Sequence, residues 1–305
     1  MTRGVSLFIS PSRFLRDVFV RAGYPADRFI ATDNGFDVSP FEGYRRRPSE
    51  TLRFGYVGAM VPYKGIHVLV EAFNEMSEDG WELHIHGGVR EDSPHAPYQS
   101  RIREMASDAR IQVHGAFRPD EVAKVFEDVD VLIVPSLWVE NSPLTIHEAF
   151  VCGAPVITAN LGGMAELVQD GVNGLLFEPG NATSLRACAR RLLEDRGLVE
   201  RLREGIPHVK TIAEHAVEMN EIYESLEPIP LVGEEERAMR ETLAGLPERA
   251  RARRERERAR RSPAAEPPPQ PPAEEHADTE QARLESEEKN ADPPRRPWWK
   301  WWRRR

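Results

Sequence analysis

The chain has little cysteine, no long apolar run and no excess of basic charge. Its 305 residues hold only Cys152 and Cys188, with no CxxC pair. That excludes a disulfide framework and a thiolate metal knuckle. Both cysteines fall in amphipathic helical patterns and read as buried thiols of a reducing compartment. No apolar run approaches the roughly 18 residues that a spanning helix needs. The stretch V-S-L-F-I near the start is too short for the core of a signal peptide. With 41 Lys and Arg against 50 Asp and Glu, the formal net charge is -9, which argues against a dedicated nucleic-acid binder. These absences predict a cytoplasmic chain.

What is present is a strand–helix alternation. Val5–Ser10 and Arg28–Thr32 read as strands flanking a helix over Ser12–Ala22 that Gly23 stops. One such unit cannot bury both of its own faces, so residues 1–40 need a partner layer. Residues 41–51, polar and bearing Arg45-Arg46-Arg47-Pro48, read as a linker. Residues 52–226 alternate throughout. Strands are expected at Leu52–Val57, Trp81–His86, Ile111–His114, Val131–Pro135, Ala154–Ala159 and Gly174–Phe177. Helices are expected at Ile66–Glu78, Tyr98–Ser107, Pro119–Glu127, 143–152, Met164–Gln169, Ala182–Glu194, Leu198–Glu204 and His208–Leu226. The pattern predicts an α/β fold with a doubly wound parallel sheet. Residues 227–305 shift to charge and proline and read as a largely disordered, partly helical tail ending W-W-K-W-W-R-R-R.

The rest is organised around residues 135–153, P-S-L-W-V-E-N-S-P-L-T-I-H-E-A-F-V-C-G. An apolar strand ends there, a loop follows and a helix begins beside the strand's carboxyl end. Open α/β sheets bind ligands at that place. Ser142 reads as the N-cap and Pro143 as the first helical residue, leaving the N–H groups of Leu144 and Thr145 free to meet a phosphate. Glu140 lies in the loop and Glu148 eight residues later on the helix; the same spacing also fits solvated surface charges. The first strand–helix junction, G-Y-V-G-A-M-V-P-Y-K-G from Gly55, places Lys64 just before a helix start. Lys64 is there either as a solvated turn residue or as an anion ligand, where a phosphate at ~4 Å gains about 4 kcal/mol at an effective dielectric of about 20. No G-K-[ST] closes this loop, so it is no Walker A motif.

In order along residues 5–226, these segments resemble the donor half of the retaining nucleotide-sugar glycosyltransferases of the GT-B fold. That large family is often called group 1 or family four. The matching pieces are Asn34-Gly35-Phe36-Asp37, Gly55-Tyr56-Val57-Gly58 with Lys64-Gly65, His86-Gly87-Gly88, and His114-Gly115-Ala116-Phe117. Asp130 to Ser136, Glu140 with Glu148, Gly153 to Ile157, Gly162 to Glu166 and Asn173 to Phe177 complete the series.

The resemblance implies a hexosyltransferase-type enzyme whose donor is a nucleoside diphosphate sugar and whose acceptor is a glycan or a lipid-linked group. It implies no cofactor and no metal. Lys64 would hold the diphosphate and Glu140 would lie near the transferred sugar, the two catalytic candidates. Glu148 would take the ribose hydroxyls, and Leu144 and Thr145 the phosphate. Gly115, Ala116 and Phe117 would border the base. Gly58, Gly87, Asn141 and Ser142 complete the expected donor site.

Two departures stand out. Ala59 occupies a position where the family commonly has arginine, and Arg90 is the candidate substitute charge. The family also carries a complete acceptor domain before the hinge, where residues 1–40 match only its last strand–helix–strand unit. The expectation is therefore either a truncated reading frame or a split enzyme, a nucleotide-sugar-binding subunit needing a separate acceptor-domain chain. A GT-B epimerase is a third class, disfavoured by the Glu140/Glu148 pattern.

Other signals read as structural. Asp128-Val129-Asp130 spells a metal-binding DxD but sits at the entry of a strand, away from the ligand end. His84, His86 and His114 read as packing or hydrogen-bonded residues, and His147 as a neighbour that orients Glu148. The terminal tryptophans with Lys300 and three arginines suit peripheral contact with the inner face of a membrane, or with another protein.

Overall fold

The computed structural model describes residues 5–226, so the expectations for the tail, membrane contact included, lie outside the described residues. The chain begins with β1 (Phe8–Ser10), α1 (Arg13–Arg21) and β2 (Phe29–Ala31), the two strands pairing in parallel. Next come β3 (Leu52–Val57), α2 (Ile66–Asn74), β4 (Trp81–His86), α3 (Ala96–Met105), β5 (Ile111–Gly115), α4 (Val122–Phe126) and β6 (Val131–Val134). The remainder is α5 (Leu144–Val151), β7 (Val156–Ala159), α6 (Met164–Leu167), β8 (Gly174–Phe177), α7 (Ala182–Glu194), α8 (Arg196–Glu204) and α9 (Ile212–Glu224).

Six strands, β3 to β8, form one parallel sheet in the order β5-β4-β3-β6-β7-β8. Numbered from its own first strand, that is 3-2-1-4-5-6, the doubly wound Rossmann-like arrangement the alternation predicted. Such a sheet is covered on both faces, which is why β3, β6 and β7 are buried at every residue. The order reverses between β3 and β6, so the ligand crevice belongs at their carboxyl ends.

The opposite end is closed by charge. Asp130 accepts the Arg53 backbone N–H at 2.9 Å and its Nε at 3.0 Å, and Arg46 adds a contact at 2.8 Å. Asp128 takes Arg53 at 2.9 Å and Arg47 at 2.8 Å. The DxD carboxylates are thus held by three arginines at the base of β6. Two of those arginines come from the polar segment before β3. Cys152 and Cys188 are free and buried, and burial pushes the Cys188 thiol up to about 11.

Several boundaries differ from the sequence expectation. α2 ends at Asn74, four residues early, because Met76 folds back onto the core and donates its N–H to Phe73 O at 3.1 Å. α9 begins at Ile212, because Thr211 and Glu214 form a capping box there. Residues 208–210 instead lie outside any helix, and Lys210 O accepts the Phe36 N–H at 2.8 Å.

One glycine decides how the crevice closes. Gly65 has φ +72°, and a Cβ on it would lie 2.0 Å from Pro135 O. The turn before α2 therefore rests directly on the end of β6. Gly65→Ala is expected to destabilise the fold by about 2 kcal/mol or more, from left-handed strain plus the clash. Urea unfolding midpoints measure it, and an unchanged midpoint would show that Pro135 retreats at no cost.

Candidate functional site

The contact at Gly65 brings the β3–α2 and β6–α5 loops together, and Leu137 N–H seals it with a bond to Tyr63 O at 2.8 Å. Lys64, just before that glycine, then reaches Glu140: Nζ lies 2.7 Å from Oε1. The Ser136 hydroxyl donates to the same oxygen at 3.0 Å. The two side chains remain 30% and 17% exposed, so this pair sits at the mouth of the crevice and stays open to a ligand.

The neighbouring strand ends are laced by backbone. Gly58 N–H donates to His86 O at 3.0 Å and Gly87 N–H to Gly115 O at 2.7 Å. A Cβ on Gly87 would sit 1.7 Å from Gly58 O, so only glycine fits there. Ala116 and Phe117 follow β5, with Phe117 edge-on to His86 at 6.5 Å.

At the start of α5 the structure corrects one expectation. Pro143 is the N-cap and makes no side-chain capping bond. Ser142 lies outside the helix, and its hydroxyl donates to Asp33 Oδ1 at 2.8 Å. The consequence for the ligand end is unchanged. The N–H groups of Leu144 and Thr145 have no acceptor among the described residues, as the first turn of a helix requires. One turn on, Glu148 is half-buried and its carboxylate has no hydrogen-bonding partner among the described residues. Burial raises its pKa, with the nearby His147 charge acting against that. A carboxylate so placed has all its acceptor capacity available for ligand hydroxyls.

His147 does not orient Glu148. Its Nε2 lies 2.7 Å from Asp33 Oδ2 and its Nδ1 3.1 Å from Pro143 O. Burial disfavours the imidazolium, but Asp33 outweighs it and the pKa of His147 is raised. Burial likewise opposes the Asp33 carboxylate, yet the bonds from His147 and Ser142 hold its pKa below the ordinary value. Asp33 escaped the sequence reading; its only signal was its place just before Asn34-Gly35.

Arg90 is engaged within its own loop. It is exposed and forms a two-pronged pair with Asp92 at 3.0 Å on both arms. Asn141 is exposed, and with Ser142, Ser12, Arg13, Asp33 and Glu166 it lines a cleft of about 280 Å3 between the β1-α1-β2 unit and the sheet. Glu166 closes one wall of that cleft by accepting the backbone N–H groups of Arg13 and Phe14, both at 2.9 Å.

Comparison with known proteins bears on this arrangement. Residues 51–195 match the family described as glycosyl transferases group 1. The group 1 match begins at β3, ends just past α7 and contains Lys64, Glu140 and Glu148. The chain is 29% identical over 206 residues to a lipopolysaccharide 1,2-N-acetylglucosaminetransferase of Salmonella typhimurium, covering 62% of this chain and 53% of that protein. It is 26% identical over 238 residues to a D-inositol 3-phosphate glycosyltransferase of Corynebacterium glutamicum, covering 71% and 56%. The chain therefore spans about half the length of the curated relatives it matches. Among solved structures, Anabaena Alr3699/HepE in complex with UDP-glucose superposes with a TM-score of 0.64 at 24% identity, covering 74% of this chain and 65% of that one. No helix among the described residues is long and apolar enough to cross a membrane.

The Asp33–His147 pair gives a pH signature. His147, raised on folding, contributes stability below its unfolded pKa of about 6.5 and loses it as pH rises through the folded value. Asp33, lowered on folding, contributes above its unfolded pKa of about 3.9 and loses that as pH falls. Asp33→Asn is expected to cost on the order of 1 kcal/mol near pH ~5.5 and clearly less near pH ~8.5, the exposed side of the pair being screened. Thermal melts at the two pH values test it, and an equal loss at both would remove the charge from the account.

Proposed function

We propose that this chain binds a nucleoside diphosphate sugar and transfers the sugar to an acceptor with retention of configuration, the acceptor being a glycan or a lipid-linked group. The observation that carries the reading is the meeting of Lys64 with Glu140, 2.7 Å apart, at the reversal of strand order. The helix start with free N–H groups and the unpartnered Glu148 lie on the next element. In this reading Lys64 leaves Glu140 for the diphosphate, and the N–H groups of Leu144 and Thr145 take phosphate oxygens. Glu148 accepts the ribose hydroxyls and the segment Gly115 to Phe117 borders the base. As the glycosidic bond breaks, negative charge grows on the departing nucleoside diphosphate. Lys64 and the helix start are aimed where that charge appears, and electrostatic stabilisation of this kind is usually a large part of catalysis. Glu140, released from Lys64, faces the sugar.

The group 1 match and the glycosyltransferase relatives support this reading. The HepE structure solved with UDP and glucose makes uracil the first base to test. The domain division we infer is an acceptor-side unit over 1–40, a linker over 41–51, and a donor domain over 52–226, in a cytoplasmic protein.

A thermal-shift panel of UDP, GDP, ADP and their sugars tests the donor site. One diphosphate is expected to raise the Tm of the parent, and Glu148→Ala should lose about 1.5–3 kcal/mol of that binding, the value of hydrogen bonds to a charged group. Stabilisation by none of them would sink the reading. Lys64→Ala should weaken UDP or its counterpart far more than the bare nucleoside; equal weakening would move Lys64 away from the phosphates. Sugar transfer by the purified chain, with product configuration read by NMR, then separates a complete enzyme from a subunit that needs a second chain.

A further inference from the structure

Three histidines that the donor site does not use lie together on one face of the sheet. His84 and His86 alternate on β4, so both point the same way, and His114 comes from the edge strand β5. The β4–β5 register shifts between Ile85 and His86, which places Gly115 opposite His86 and leaves the His114 ring against both β4 rings. The His86 and His114 rings stack 4.3 Å apart and 5° from parallel, and the His84 and His114 rings lie 12° from parallel. One nitrogen from each residue lies within 4.8 Å of the other two.

The protons leave one lone pair inside this group, at His84, facing one proton that an ion would displace. Glu82 Oε2 lies 3.1 Å from His84 Nε2, which fixes the proton of a neutral His84 on that nitrogen. His84 Nδ1 then carries a lone pair, and His114 Nε2, 3.0 Å away, donates its proton to it. His86 Nε2 is buried with no hydrogen-bond partner. A buried polar atom left unpaired is costly and asks for an explanation.

We propose that His84 Nδ1, His114 Nε2 and a ring nitrogen of His86 form a three-imidazole site for a zinc-class divalent ion, with Glu82 as the positioning residue. Nitrogens bound tetrahedrally at about 2.0–2.1 Å lie about 3.3 Å apart. The His84–His114 pair already meets that spacing, and the ion replaces the proton the two share. The His86 ring, stacked face-on to His114, closes the remaining gap of about 1.5 Å at most by turning about its own side-chain bonds, out of that stack, until its in-plane lone pair points at the ion. Glu82 on the far nitrogen of His84 repeats the carboxylate–histidine–metal arrangement that fixes a ligand's tautomer. His114 is exposed, which gives the ion an entry path and leaves the fourth position to water. The bound ion would clamp the edge strand β5 to β4 immediately before Gly87 and Gly115.

The test titrates Zn2+ into the full 305-residue chain after chelator dialysis, by calorimetry and by thermal melt, with Co2+ absorption as a second readout. One saturable site per chain is expected, with a rise in Tm. His114→Gln and His86→Gln should each weaken it at least about tenfold, and Glu82→Gln about tenfold. No saturable Zn2+ binding by the parent overturns the proposal, as does affinity unchanged in both histidine variants. Should those variants fail to fold, the parent decides: a Co2+ complex without the visible bands of a low-symmetry nitrogen site overturns it.

Discussion

The site depends on backbone meeting backbone at distances that no side chain permits. Gly65 lies against Pro135 O, and Gly87 against Gly58 O, where an added Cβ would fall 2.0 and 1.7 Å from the oxygens. These two contacts fix where the loops leaving β3, β4 and β6 stand relative to one another. Lys64 reaches Glu140 only because the first contact holds its turn on the end of β6. The parallel sheet supplies direction, placing all these strand ends on one side, and the glycines supply proximity.

The charges divide between the two ends of the sheet. At the base, Arg53 is 6% exposed and Asp130 5%, each the other's main partner, so neither is available for chemistry. At the mouth, Lys64 and Glu140 meet at 2.7 Å with their side chains still partly exposed. A buried pair of the first kind fixes register, since either charge alone would be stranded. An open pair of the second kind can be exchanged for a ligand's charges at small cost.

Much of this was legible in the sequence. β3 and β8 fall where the apolar runs place them, and β4 where Trp81, Leu83 and Ile85 alternate with polar residues. Lys64 and Glu140 were singled out separately, and the sheet brings them together. What escaped were contacts between residues far apart in the chain. Asp33 meets His147 across 114 positions and takes the hydroxyl of Ser142, so a residue with good N-cap chemistry is used elsewhere. No local rule contains that competitor. The histidine group was unreadable for a related reason: it needs the register shift between β4 and β5 before His114 meets the other two. α9 was read four residues long at its start because helical periodicity continues through His208–Thr211, where the capping box stops the helix instead.

The α1 helix takes its first turn's partner from elsewhere. Its leading N–H groups, at Arg13 and Phe14, end on the carboxylate of Glu166 in α6. Ser12, the helix's own N-cap, takes the Leu15 N–H at 3.2 Å, so the rest of the first turn is completed only when the unit is docked. Pulling the β1-α1-β2 unit off the sheet strands two amide donors and one carboxylate in a single event. Seated, the unit has its first turn fully capped; released, it keeps only the capping bond from Leu15 to Ser12.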